Sequence, residues 1–131
     1  MMSDTRIILY LDEEDLSDEV YVEDRGSGFY RLLEHPIFSE RVKYGDIVEL
    51  KKMADDRYSL VRVAKPSSLV KAEFILTALA EKKPSLINIL QKLMDANGYW
   101  QRDFGGLLFV FYHPEVYNPV DDILAVVGEN L

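Results

Sequence analysis

Residues 29 to 50 hold the feature that most limits how the first half of this chain can fold. Apolar segments that begin at Phe29 and Ile47 flank a bend at Pro36 and a turn at Tyr44-Gly45-Asp46. Proline cannot donate to a strand ladder, and a glycine beside an aspartate favours a tight turn. The pattern predicts two strands joined by an irregular connection.

Three more segments in the first half have the composition of strands. They are rich in β-branched and aromatic residues, and charged or turn-forming residues end each one. Together with the two strands on either side of Pro36, the predicted strands are residues 6–11, 20–22, 29–33, 47–50 and 58–63. Five short strands in about sixty residues are typical of a small antiparallel β-barrel or bent sheet. We therefore predict an all-β lobe over residues 1–65.

The second half, residues 66–131, begins with an ambiguous segment. Residues 69–77 alternate apolar and polar side chains, which favours a strand. Ser68 could instead cap a helix, and residues 69–80 are rich in helix formers, so a helix stays the alternative.

A clear amphipathic helix follows and ends at Asn97-Gly98, a pair suited to a left-handed C-cap. Its predicted buried residues are Leu86, Ile87, Ile89, Leu90, Leu93 and Met94. Residues 99–104 and 107–112 are expected to form a hairpin around Gly105-Gly106, and Asn118-Pro119 starts a last helix. The order β-α-β-β-α is most of a ferredoxin-like sandwich. We predict an α+β chain whose all-β lobe (1–65) and ferredoxin-like lobe (66–131) make one compact unit.

The net charge of −8 is unevenly distributed along the chain. Residues 12 to 24 contain eight carboxylates and no basic residue, so the remaining 15 acids balance the 15 bases. A negative field attracts basic surfaces and repels phosphate groups and anionic lipids. We expect a basic protein as partner, and no binding to nucleic acid or to membranes.

The absence of cysteine excludes disulfide bonds and thiolate metal sites. The first apolar segment is too short for a signal peptide, and no segment is long enough to span a bilayer. We expect a cytoplasmic bacterial protein. No catalytic or cofactor motif rises above chance, so we expect no cofactor and favour a non-enzymatic protein over an enzyme.

Four short motifs carry a family resemblance. They are Phe29-Tyr30-Arg31-Leu32, Pro36-Ile37-Phe38, Tyr44-Gly45-Asp46-Ile47-Val48 and Gly106-Leu107-Leu108-Phe109-Val110-Phe111. They resemble an uncharacterised bacterial family, a domain of unknown function in which a Pro-Phe-Phe element precedes a Tyr-Gly-Asp turn. Here Ile37 stands in place of the first phenylalanine. The resemblance, over residues 19 to 128, implies a barrel-like half followed by a ferredoxin-like half, and no activity.

The acidic segment is the first candidate site. Its predicted partner-binding residues are Asp12, Glu13, Glu14, Asp15, Asp18 and Glu19. Oxygen ligands at Asp12, Glu14 and Asp18 would suit Ca²⁺ or Mg²⁺, but their spacing matches no EF-hand loop. Blocks of like charge are more often solvated or serve as interaction surfaces, so we predict no metal site.

The second candidate is a pocket between the two lobes. Its residues would be Glu34, His35, Tyr44 and Asp46, with aromatic walls. A histidine beside a carboxylate could transfer protons, but no nucleophile motif accompanies it, so we assign no catalytic residue. The simpler role for Asp46 is a hydrogen bond to the backbone of its own turn.

These candidates give three hypotheses. The leading one is a small acidic interaction module, with an immunity-type inhibitor of a basic toxin as its specific version. The rival is a small-molecule-binding protein or enzyme that uses the pocket. The third is a homo-oligomer that pairs through strand edges or an aromatic patch.

Overall fold

The computed structural model of this protein describes residues 4–11, 16–37 and 39–128. The chain divides into two units, Met1–Ser67 and Ser68–Leu131, two residues beyond the division expected from the sequence. The described residues form eight strands and three helices, a mixed α+β structure.

The first unit is a closed barrel of five strands in sequential order. The strands are β1 (Asp4–Leu11), β2 (Leu16–Gly26), β3 (Phe29–Leu32), β4 (Ile47–Ala54) and β5 (Arg57–Lys65). The four sequential pairs are antiparallel, as predicted. The closing pair, β1 with β5, is parallel and aligns Leu9 with Tyr58. Strands that reverse direction at each step leave the first and the fifth pointing the same way, so an odd number closes in parallel.

The barrel interior is filled by alternate residues of its strands. Ile7, Leu9 and Leu11 of β1 are at most 1 % exposed, and Val20 and Val22 of β2 pack with them. This period of two is what a sheet with one buried face requires.

The sequence predicts strands at residues 6–11 and 20–22 and therefore a loop over residues 12–19, which is wrong for residues 16–19. Strand β2 begins at Leu16, and Asp18 pairs with Leu9 of β1. Charged residues can belong to a strand when they lie on its outer face, so β2 includes Asp18 and Glu19 although the charge run interrupts the strand pattern in the sequence. Residues 12–15 lie outside the described part of the chain.

The second unit is a three-stranded sheet with helices. Its elements are β6 (Val70–Ile75), α1 (Ala78–Glu81), α2 (Pro84–Asp95), β7 (Tyr99–Asp103), β8 (Leu107–Tyr112) and α3 (Val120–Gly128). The strand order is β6-β8-β7 with both pairs antiparallel. The segment at 69–77 is therefore mainly strand, and the ferredoxin-like fold itself stays a prediction.

A short helix that the sequence did not predict separates β6 from α2. Thr77 caps helix α1 by accepting a hydrogen bond from Ala80 N at 3.1 Å. Pro84 then occupies the first turn of α2, where its missing N–H costs nothing. The chain therefore turns a corner between Glu81 and Pro84.

Helix α2 ends as predicted and buries fewer residues than predicted. Gly98 N donates to Leu93 O at 2.9 Å, and Asn97 adopts a φ of +63°, which together make a Schellman cap. Leu86, Leu90 and Leu93 are buried. The predicted burial of Ile87 and Met94 is wrong, because these side chains are 58 % and 44 % exposed on the flank of the helix.

The hairpin of β7 and β8 turns one residue earlier than predicted. Positive φ angles occur at Phe104 (51°) and Gly105 (77°), not at Gly105 and Gly106. A side chain at Gly106 would meet Leu76 O at 2.8 Å, so this glycine serves a close approach of two backbone segments.

No helix in the described ranges is both long and apolar enough to cross a membrane.

Truncation of the barrel core should be costly. Leu9 is fully buried, so Leu9→Ala should lower the free energy of unfolding by about 2–5 kcal/mol. Met53 is 63 % exposed, and Met53→Ala should change the free energy of unfolding by less than about 0.5 kcal/mol. Urea denaturation followed by circular dichroism measures both variants, and equal losses would contradict this assignment of the core.

Candidate functional site

The β1–β2 hairpin carries nearly all of the net charge. Residues 4–26 contain nine carboxylates and two arginines, a net charge of −7 out of −8 for the chain. We call these residues the acidic hairpin. Both of its arginines already pair with acids, so the surplus of negative charge is not neutralised within the hairpin.

Asp18 uses both carboxylate oxygens on backbone groups. Oδ1 accepts a hydrogen bond from Glu19 N at 2.9 Å, and Oδ2 accepts one from Ile37 N at 2.7 Å. The second bond joins strand β2 to the connection that follows β3. This predicted partner-binding residue therefore also has a structural task.

Glu19 pairs with Arg6 on the neighbouring strand. Arg6 Nε donates to Glu19 Oε1 at 2.7 Å, and the guanidinium lies 4.8 Å from the centre of the Tyr21 ring. The hydrogen bond to Glu19 is the main cause that raises the pKa of Arg6. Both side chains are more than two-fifths exposed, and exposed pairs add little stability. A basic group of a partner can therefore compete for Glu19 at small cost.

The end of the acidic hairpin is also internally bonded. Arg25 Nη1 donates to Glu23 Oε1 at 3.0 Å, and Gly26 N donates to Asp24 Oδ1 at 2.8 Å. Four of the predicted partner-binding residues, Asp12, Glu13, Glu14 and Asp15, lie outside the described residues. Within the described ranges, no three His, Asp or Glu side chains form a group that could hold a metal ion.

Glu34 and His35 follow strand β3. Glu34 Oε1 accepts a hydrogen bond from Tyr21 N at 2.8 Å and lies 3.6 Å from Arg6 Nη1. Its carboxylate thus ties the connection back to β2. His35 is 1 % exposed, so its ring does not face solvent.

Tyr44 and Asp46 lie in one turn before β4. Gly45 has a φ of +86°, and its N–H donates to Leu32 O at 2.9 Å. Tyr44 is half-buried, whereas Asp46 is only 2 % exposed. The turn is therefore closed against the end of β3.

The Asp46 carboxylate bonds to two separate backbone groups. Oδ2 accepts from Lys43 N at 2.9 Å, and Oδ1 accepts from Ser67 N at 2.7 Å. Lys43 Nζ lies 3.5 Å from Oδ1 and supplies a positive charge. Asp46 and Glu34 therefore accept hydrogen bonds from different backbone groups, and both hold separate segments of the first unit together.

Sequence reasoning did not foresee a pocket in the second unit. Its volume is about 400 Å³, and it lies where helices α1 and α2 face strand β7. The lining residues are Glu81, Leu86, Ile87, Leu90, Gln91, Trp100 and Arg102. The alternation of Trp100 and Arg102 on β7 was readable in the sequence, but the corner at Glu81 depends on a helix that was not predicted.

The comparisons with known proteins bear on the fold alone. The chain is similar to a hypothetical protein from Neisseria gonorrhoeae of known crystal structure, with a TM-score of 0.57 and 19 % sequence identity. The match covers 98 % of this chain and 86 % of the other. No family model and no curated protein matches the sequence.

Replacement of the buried carboxylate should destabilise the first unit. Asp46→Asn keeps the shape but turns one acceptor into a donor, which leaves Lys43 N or Ser67 N facing an N–H group. We expect a loss of about 1–3 kcal/mol in the free energy of unfolding. Asp56→Asn, at an exposed turn residue, is the matched control and should be neutral. A comparable loss in both variants, measured by urea denaturation, would refute this role for Asp46.

Proposed function

We propose that this protein is a small acidic interaction module that binds a basic protein through the acidic hairpin. The observation that carries the proposal is the concentration of −7 of the net charge of −8 in residues 4–26. The rest of the chain, with 14 acids and 13 bases, is nearly neutral. A charge so confined supports a role in recognition rather than in general solubility.

The physical effect of such a surface is mainly kinetic. A patch of one sign steers an oppositely charged partner and raises the association rate by about ten- to a thousandfold at low salt. Fixed exposed charges add less to the final affinity, since salt and water screen them. The module would therefore bind fast, and its binding would weaken steeply as salt is added.

The described strands of the hairpin, β1 and β2, are held in shape before any partner arrives, which supports the same proposal. The bonds from Asp18 to Ile37 N and from Glu34 to Tyr21 N attach β2 to the connection after β3. A preformed surface loses less conformational entropy on binding than a flexible one does. Residues 12–15 add four carboxylates between two strands that are paired with each other.

A specific version of the proposal is inhibition of a basic protein by coverage of its active surface, as an immunity protein does. The same acidity disfavours nucleic acid as a partner, because phosphates would be repelled. The strand order of the second unit also supports our assignment of that unit to the ferredoxin-like class, to which we attach no activity.

Neutralisation of the hairpin tests the proposal. Partners would be captured from lysate with the wild-type protein and with a variant in which Asp12, Glu13, Glu14 and Asp15 become Asn or Gln. After a short incubation at low salt, which reports on the association rate, recovery of a basic protein should fall by about tenfold in the variant, and the difference should shrink at moderate salt.

The matched control changes the net charge equally at other places. It replaces Asp55, Asp56, Glu73 and Glu115, all exposed, by their amides. Recovery should then stay within about twofold of wild type, because steering depends on where the charge lies. Equal recovery with the hairpin variant and the wild type, or an equal fall with both variants, would reject the acidic hairpin as the binding surface.

A further inference from the structure

The pocket of about 400 Å³ in the second unit has the composition of a small-ligand site. Such sites combine apolar walls with a few polar groups in a volume of roughly 300–1,000 Å³. None of its lining residues belongs to the acidic hairpin, so the two candidate sites share no residue.

The apolar wall comes from helix α2 and strand β7. Leu86 and Leu90 lie one helical turn apart on α2 and are 1 % and 5 % exposed. Trp100 of β7 packs partly buried against the same core, and Ile87 is 58 % exposed beside it. An indole face next to aliphatic side chains suits an aromatic or other flat apolar group.

One charged group of the pocket, the Glu81 carboxylate, has an oxygen without a hydrogen-bond donor within the described ranges. Glu81 Oε1 is buried and accepts no hydrogen bond from the described residues. A buried carboxylate oxygen without a donor costs free energy, and a ligand that brings an N–H group recovers it. Because Glu81 ends helix α1, its backbone is held by the bond from Glu81 N to Thr77 O at 3.1 Å.

The other charged group is a guanidinium. Arg102 follows Trp100 by two residues on β7, so both side chains belong to the face that carries the helices. The Arg102 side chain makes no hydrogen bond or ion pair with other described residues. Its N–H groups therefore stay available to a carboxylate, which guanidinium groups bind in bidentate fashion.

We propose that this pocket binds a free aromatic amino acid, whose ammonium group donates to Glu81, whose carboxylate accepts from Arg102 and whose ring packs on Trp100. A simple amine would forgo the charge-assisted hydrogen bond to the exposed Arg102, and a simple acid would be repelled by Glu81. An uncharged apolar ligand would bury Glu81 without a donor. A zwitterion engages both charged groups at once.

Trp100 is the only tryptophan of the chain, so its fluorescence reports directly on the pocket. L-phenylalanine should change the emission in a saturable way. Four matched compounds then separate the parts of the ligand: phenethylamine lacks the carboxylate, 3-phenylpropanoate lacks the ammonium group, glycine lacks the ring, and L-phenylalanine has all three. Each incomplete compound should bind at least about tenfold more weakly than L-phenylalanine.

Substitutions in the full-length protein assign the charged groups. Glu81→Gln and Arg102→Gln should each raise the Kd for L-phenylalanine by about tenfold or more. Glu115→Gln and Lys82→Gln make the same charge changes at exposed positions outside the lining and should leave the Kd within about twofold. Far-ultraviolet circular dichroism of every variant checks that the fold is retained.

Three results would overturn the proposal. The first is the absence of a saturable response to L-phenylalanine, which would mean that the pocket holds only water. The second is equal binding of phenethylamine or 3-phenylpropanoate. The third is a Kd unchanged by Glu81→Gln and Arg102→Gln in folded protein, which would place the ligand elsewhere. Calorimetric titration checks the same constants without the fluorophore.

Discussion

The hydrogen bonds of the buried Asp46 carboxylate are the constraint on which the turn before β4, and its link to the residues after β5, depend. They hold the turn at Lys43 and the backbone of Ser67 at one point, although Ser67 lies 21 residues beyond Asp46 in the chain. The backbone carbonyl of Asp46 accepts a hydrogen bond from Leu32 N at 2.9 Å, so the end of β3 is joined to the same turn. A buried carboxylate is tolerated only when donors surround it. Side-chain hydrogen bonds therefore position the irregular connection after β3. A strand, in contrast, is positioned by backbone hydrogen bonds to its neighbour.

The barrel can carry a strongly charged hairpin at a low cost in stability. The interior is made by alternate residues such as Leu9 and Val22, and the outward residues between them are free to be acidic. The pairs of Arg6 with Glu19 and of Arg25 with Glu23 reduce repulsion between neighbouring acids but do not cancel the surplus. The charges on the outer face can therefore vary with function, because the fold depends on the apolar residues of the inner face.

The pocket of the second unit forms where a strand and a helix, which place side chains on one face at different intervals, lie against each other. Strand β7 repeats every two residues and helix α2 every three to four, so Trp100 and Arg102 come to face Leu86 and Leu90. Helix α1 adds Glu81 only because Thr77 caps it and Pro84 starts a new helix directly afterwards.

By itself the sequence determined the strand-rich first half, the α+β class, the end of α2 at Asn97-Gly98 and the location of the net charge, because each follows from local patterns or from composition. Tertiary structure decided the parallel closure of β1 on β5, the strand character of Asp18 and the exposure of Ile87, since these depend on which elements meet. It also decided the role of Asp46, whose partner Ser67 is distant in sequence, and the pocket around Glu81 and Trp100. Turn chemistry and periodicity act over a few residues, whereas a shared hydrogen bond or a common cavity requires the folded chain.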